Sequence, residues 1–185
     1  MYQIAGALFA RPWAFVTWPA LAMIVGTLLR AVLGKRANGL AVVPRTAAGL
    51  LGIPASPFLH CNLGHLCANL PTFVVLGVLM LRLGEATYLR GALAIVAASG
   101  LLLWLFGRNA AHMGMSGVIF GFFGCLVARA FFHGGAGNVL IAIAVLVVYG
   151  SMLAGIKPAR SSTSWESHLF GLISGIGAAW LNHRR

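Results

Sequence analysis

The chain contains no aspartate and only two glutamates, Glu85 and Glu166, in 185 residues. An aspartyl dyad needs two Asp, and a carboxylate proton relay needs acids inside the membrane spans. The His-Glu-x-x-His string of zinc proteases is missing as well. Cysteine is sparse and odd in number: Cys61, Cys67 and Cys125 offer no Cys-x-x-Cys pair and no disulfide framework. They read as free, buried, small hydrophobes. Low-complexity linkers, polar appendages and internal repeats are also lacking.

Charge of either sign is scarce. Charged residues make up 8% of the chain, against about 25% in soluble domains. What fills the space is apolar: 60% of residues are hydrophobic and the mean hydropathy is +0.93. Apolar stretches of roughly 20 residues, long enough for a ~30 Å hydrocarbon core, recur along the whole length. They predict one all-α polytopic membrane domain over residues 1–185, with six spans near 13–32, 64–83, 88–106, 116–132, 138–156 and 167–182. The first span reads as a retained anchor rather than a cleaved leader. Trp13, Trp18, Trp104, Trp165 and Trp180 fall towards span ends, where interfacial aromatics belong.

The net charge of +11 does not read as nucleic-acid binding. The basic residues are dispersed at segment ends, where they suit anionic lipid headgroups. They set no orientation either. Arg11, Arg82, Arg90, Arg129, Arg184 and Arg185 lie on one side, and Arg30, Lys35, Arg36, Arg45, Arg108, Lys157 and Arg160 on the other. The long connection 33–63 is too apolar for a solvated loop and too broken by glycine and proline for a span. It is expected to lie in the interface or dip part way into the bilayer.

Polar residues stand where a membrane disfavours them. The second span opens "FLHCNLGHLCANLP", carrying His60, Asn62, His65 and Asn69. His65 and Asn69 are four apart and share one helical face. Asn62 suits an N-cap, which leaves His60 just outside the helix. Interhelical hydrogen bonding accounts for one such group; His60, His65 and Asn69 within ten positions point to a cavity.

The fourth span follows "GMSG", in which Ser116 stands between Gly114 and Gly117, with Gly121 one turn further. The sixth opens "SWESHLFGLISG", where His168 precedes Gly171 and Gly175. Matched small-xxx-small faces let two helices approach backbone to backbone. That approach would place the Ser116 hydroxyl within reach of the His168 imidazole, as a nucleophile and its base require. Ser116 also sits at a helix N-terminus, where free N–H groups and the dipole favour developing negative charge. Glu166, two residues before His168, points to another side of that helix and is not counted as a triad acid.

In these motifs, and in their order on the second, fourth and sixth spans, the chain resembles the rhomboid family of intramembrane serine proteases, here reduced to a six-helix core. The resemblance implies Ser116 as nucleophile and His168 as general base, a dyad without an acid. It implies Asn69, His65 and the Ser116 backbone N–H as oxyanion donors, and His60 as a supporting residue. It further implies peptide-bond hydrolysis through an acyl-enzyme, in or near transmembrane helices of single-span or polytopic membrane-protein substrates. No cofactor, metal or nucleic acid is expected, and the cell's inner or plasma membrane is the expected location. One departure is Phe120, where many relatives carry a tyrosine four residues after the serine; its ring can still stack on the histidine. Another is a first loop without the Trp-Arg pair of some relatives.

Two rival readings follow from the same residues. One is a catalytically silent rhomboid-like protein that binds membrane helices. The other is a metal- or haem-binding protein using His60, Cys61, His65, His112 and His168, whose spacing gives no standard zinc geometry. A transporter is disfavoured by spans lacking charged residues along a pathway.

Overall fold

The computed structural model describes residues 11–158 and 164–183; Arg160, Arg184 and Arg185 of the charge pattern lie outside them. Among the described residues, seven α-helices are joined by short 3-10 segments and loops: α1 (Ala14–Leu33), α2 (Ala47–Ala55), α3 (Leu63–Leu81), α4 (Glu85–Phe106), α5 (Ser116–Phe132), α6 (Ala136–Tyr149) and α7 (Trp165–His183). There is no strand among the described residues, only an isolated bridge between Val42 and His112.

Helices α1, α3, α4, α5, α6 and α7 overlap the six expected segments, α6 ending at Tyr149 within the fifth, and α2 adds a seventh helix inside the connection 33–63. Four of these segments are long and apolar enough to cross a membrane: α1 with its 3-10 extension, α3, α4, and α6 with the 3-10 segment Gly150–Ile156. Helix α5 is apolar but shorter, at 17 residues. The protein is an integral membrane protein of helical architecture.

Helix α5 is the hub. Eleven of its 17 residues are buried, including Phe120, Phe122, Phe123 and Leu126, as befits a helix that is apolar on every side. Around it pack Phe73, Leu76 and Met80 of α3, Ile95 of α4, Val145 of α6, and Ala178 and Ala179 of α7. By contrast α6 buries only Ala142 and Val145 and is the most peripheral helix.

In the connection 33–63, tertiary partners satisfy much of the backbone. Thr46 caps α2, its Oγ1 accepting from Gly49 N–H at 3.1 Å. Gly49 and Gly52 press against the backbone of Val43 and Ala41, where any Cβ would collide. Arg45, at φ 60°, turns the chain and donates to the carbonyls of Leu105 and Gly107 at the end of α4, and to Asn109. Trp104 Nε1 returns a bond to Thr46 O at 2.7 Å. The connection is a clasp folded over the end of α4.

The cysteines differ from expectation. Only Cys125 is buried; Cys61 and Cys67 are exposed, and all three are free. Cys67 lies between His65 and Asn69 in sequence, so the helical period turns it to the outer face while they face inward.

Helices α5 and α7 make the most extensive helix–helix contact in the structure. A Cβ on Gly171 would fall on Gly117 O, and one on Gly175 on Gly121 O. Gly177, two residues further along α7, faces open space instead. We therefore expect Gly175→Ala to destabilise the protein by about 1–3 kcal/mol, the usual cost of overpacking. Gly177→Ala, with nothing within 4 Å of its added methyl, should leave the thermal midpoint in detergent unchanged or slightly raised.

Candidate active site

The site is built where the loop 107–115 enters α5. Asn62 Oδ1 accepts from His65 N–H at 2.8 Å and starts α3, so that His65 and Asn69 stand on successive turns of its inner face. Above them the chain crosses at Gly114, whose φ of 123° favours glycine. A Cβ there would lie 2.7 Å from His65 Cε1 and 3.6 Å from Asn69 Nδ2. The backbone leading into Ser116 thus runs directly over both side chains. Asn69 is buried, and its Nδ2 donor has no partner among the described residues.

Two bonds hold this loop from behind. Gly114 N–H donates to Ser56 O at 2.9 Å. Met115 N–H points to His60 Nε2 at 3.4 Å. His60 is fully buried and reaches Thr27 Oγ1 through Nδ1 at 3.1 Å. Since the Thr27 hydroxyl donates to Met23 O at 2.7 Å, His60 Nδ1 must donate and Nε2 must accept. His60 therefore braces the loop from α1, with its ring edge-on to His65 at 5.0 Å.

His168 is fixed on two sides. Its Nδ1 donates to Gly155 O at 3.0 Å, which leaves Nε2 without hydrogen and able to accept. Its ring stacks on Phe120 with centroids 4.3 Å apart and planes 7° from parallel. Only glycine fits at position 155, because a Cβ would lie 2.9 Å from His168 Nδ1 and 3.4 Å from Phe120 Cζ. Phe120 stands one turn after Ser116 on α5, so the stack holds the imidazole on the Ser116 face of that helix. The Ser116 hydroxyl itself makes no hydrogen bond among the described residues, so the Ser116–His168 bond is not closed in this conformation.

Lower in the contact, Gly117 meets Ser167 and Gly171, and Gly121 meets Gly175. Beside the site, an open groove of about 240 Å³ between α3 and α6 is lined by Asn69, Thr72, Val148, Tyr149 and Met152. Behind the loop lies a cavity of about 30 Å³ bordered by Ser56, Ser99, Gly114, Gly117 and Ser167, large enough for a water molecule. No group of three or more His, Cys, Asp or Glu among the described residues is placed to hold a metal ion.

The family model of the Rhomboid domain matches residues 47–185. The chain belongs to the rhomboid family. Its relatives include uncharacterized proteins of Mycobacterium bovis and Mycobacterium tuberculosis, each 33% identical over 175 residues, which span 90% of this chain and 72% of the relative. A similar protein of Mycobacterium leprae is 35% identical over 141 residues, spanning 71% of this chain and 56% of its own.

Several residues of this rhomboid site carry no sequence signal of their own. Thr27 and Ser56 each reach the site through one bond, Thr27 Oγ1 to His60 Nδ1 and Ser56 O to Gly114 N–H. Gly155 sits in an apolar run where glycine reads only as a break.

Burial pushes His60 down from the ordinary histidine value of 6.5 to about 4, and neighbouring His65 adds to the shift. The unfolded chain takes up this proton near 6.5, whereas the folded one resists until about 4. His60 thus leaves stability unaffected above 6.5 and lowers it as pH falls between those values. The thermal midpoint in detergent should fall across this window, and fall less steeply in His60→Asn, whose amide cannot titrate.

Proposed function

We propose that this rhomboid is an intramembrane serine protease, acting in the cell's inner or plasma membrane on membrane-protein substrates. The observation that carries this reading is the fixed imidazole. Its Nδ1–H is held by Gly155 O and its face by Phe120, which leaves the Nε2 lone pair as the free base on the Ser116 side. Ser116 Oγ attacks the scissile carbonyl carbon and His168 Nε2 takes the hydroxyl proton. The carbonyl π pair moves to oxygen, where Asn69 Nδ2, His65 and the Ser116 N–H are the available donors. Collapse expels the amine, which takes the proton back from His168, and water then releases the acyl group by the same steps.

Three further features support the reading. The unpartnered Asn69 donor is poised for a charge that exists only during reaction. The groove between α3 and α6 opens beside Asn69 and suits an unwound stretch of a substrate helix. The small cavity behind the loop, where Ser56, Ser99 and Ser167 stand among mostly apolar residues, is large enough for a water molecule. The open Ser116–His168 pair favours one other reading, a silent rhomboid that binds helices without cutting them.

Cleavage of a single-span substrate in liposomes separates the two. Ser116→Ala and His168→Ala should abolish cleavage, and Asn69→Ala should lower kcat by about 10²–10³, the cost of one oxyanion donor. Equal cleavage by the wild type and Ser116→Ala would end the protease reading.

If only neutral His168 acts as base, kcat/KM should also climb with pH and then level off. A flat profile between about pH 5 and 9 would remove His168 from that role.

A further inference from the structure

One of the two carboxylates is buried beside the site without entering its chemistry. Glu166 is 3% exposed, on the first turn of α7 two residues before His168. Its Oε1 lies 3.4 Å from Arg108 Nε and accepts from the Arg108 backbone N–H at 3.4 Å. Arg108 opens the loop that ends at Ser116.

A second set of bonds spans the same gap. His112 Nε2 donates to Arg108 O at 2.9 Å, so its Nδ1 must accept, and Ser164 Oγ donates to it at 2.7 Å. Ser164 Oγ in turn accepts from Ser167 N–H at 3.2 Å, capping the start of α7. His112 is also bridged to Val42, N–H to O in both directions at 2.9 and 3.0 Å. Loop 107–115 is thereby tied to the first turn of the helix that carries His168.

We propose that Glu166, with Arg108, is a positioning pair that sets the distance between Ser116 and His168. This rests on the protease reading above. The glycine contact between α5 and α7 fixes how closely the helices approach, but not where the loop delivers Ser116 along α7. Glu166 supplies that second coordinate. It is the buried carboxylate at the joint: among the described residues its Oε1 meets two nitrogens of Arg108, while its Oε2 has no partner. Displacement of a reacting atom by about 1 Å is enough to cost a hundredfold in rate.

The test uses the full-length protein in detergent and in liposomes, with three readouts: labelling of Ser116 by a fluorophosphonate, kcat and KM for a single-span substrate, and hydrogen exchange of loop 107–115. Glu166→Gln, which keeps an acceptor but not the charge, should slow labelling and kcat about ten- to a hundredfold with KM little changed. It should also speed exchange in the loop. His133→Ala serves as control for lost stability, since it breaks a contact to Ala179 O at the far ends of the same helices. At matched thermal midpoint it should label like the wild type. Glu166→Gln with wild-type labelling, or losses equal to those of His133→Ala, would overturn the proposal. Faster loop exchange in a protein whose wild type neither labels nor cleaves would instead sink the protease reading and keep the tie.

Discussion

Everything at this site depends on α5 and α7 touching through backbone rather than side chains. Lipid chains are as apolar as leucine, so burial against a partner helix supplies little net drive within the bilayer. Close van der Waals approach must hold the pair, and that requires residues with no Cβ in the seam. Gly117 against Gly171 and Gly121 against Gly175 provide it. The consequence is geometric: the two helices run side by side from their first turns, with Gly117 against Ser167 and Gly171. At that separation the His168 ring stacks on Phe120.

Polar groups around the seam are held by specific bonds because the surroundings are poor in water. An unmet donor in such a medium is costly, which is why His60 carries one proton at Nδ1 for Thr27 and leaves Nε2 for Met115. The same logic fixes His168 through Gly155. Burial pushes His112 below the ordinary histidine value, with the Arg108 carbonyl and Glu166 opposing the shift, and the neutral ring is the form that its two bonds need. Among the described residues Asn69 Nδ2 lacks such a partner, as do Glu166 Oε2 and Ser174 Oγ on α7.

What can be read from the chain follows periodicity and local chemistry. Hydropathy predicts the fourth span at 116–132 and α5 occupies those residues, since a buried apolar helix is hydrophobic all round and its serine start is sharp. Asn62 is legible as a cap because an N-cap is a local bond. The connection 33–63 is not legible, because Pro54, Gly49 and Gly52 read as breaks. In the fold the glycines are contact points and the proline falls in the last turn of α2. Hydropathy also predicts the fifth span as one stretch over 138–156, yet it tightens to 3-10 geometry at Gly150, which carries Gly155 to His168. Nothing periodic announces a single carbonyl. Cys67 misleads for another reason: composition places it with buried residues, while its helical phase turns it outwards.

The two glutamates show why position decides what a charge does. Glu85 lies 3.8 Å from Arg11 with both side chains well exposed, a setting in which ion pairs contribute little. It also stands in the first turn of α4, where the helix dipole favours an anion, so solvent and dipole account for it without any partner in the core. Glu166 stands in the first turn of α7 too, but under protein, and a buried charge is retained only where bonds offset its desolvation. Those bonds run to the loop that leads to Ser116. A chain with this little charge places one of its two carboxylates where helix packing alone leaves the register of the loop undetermined.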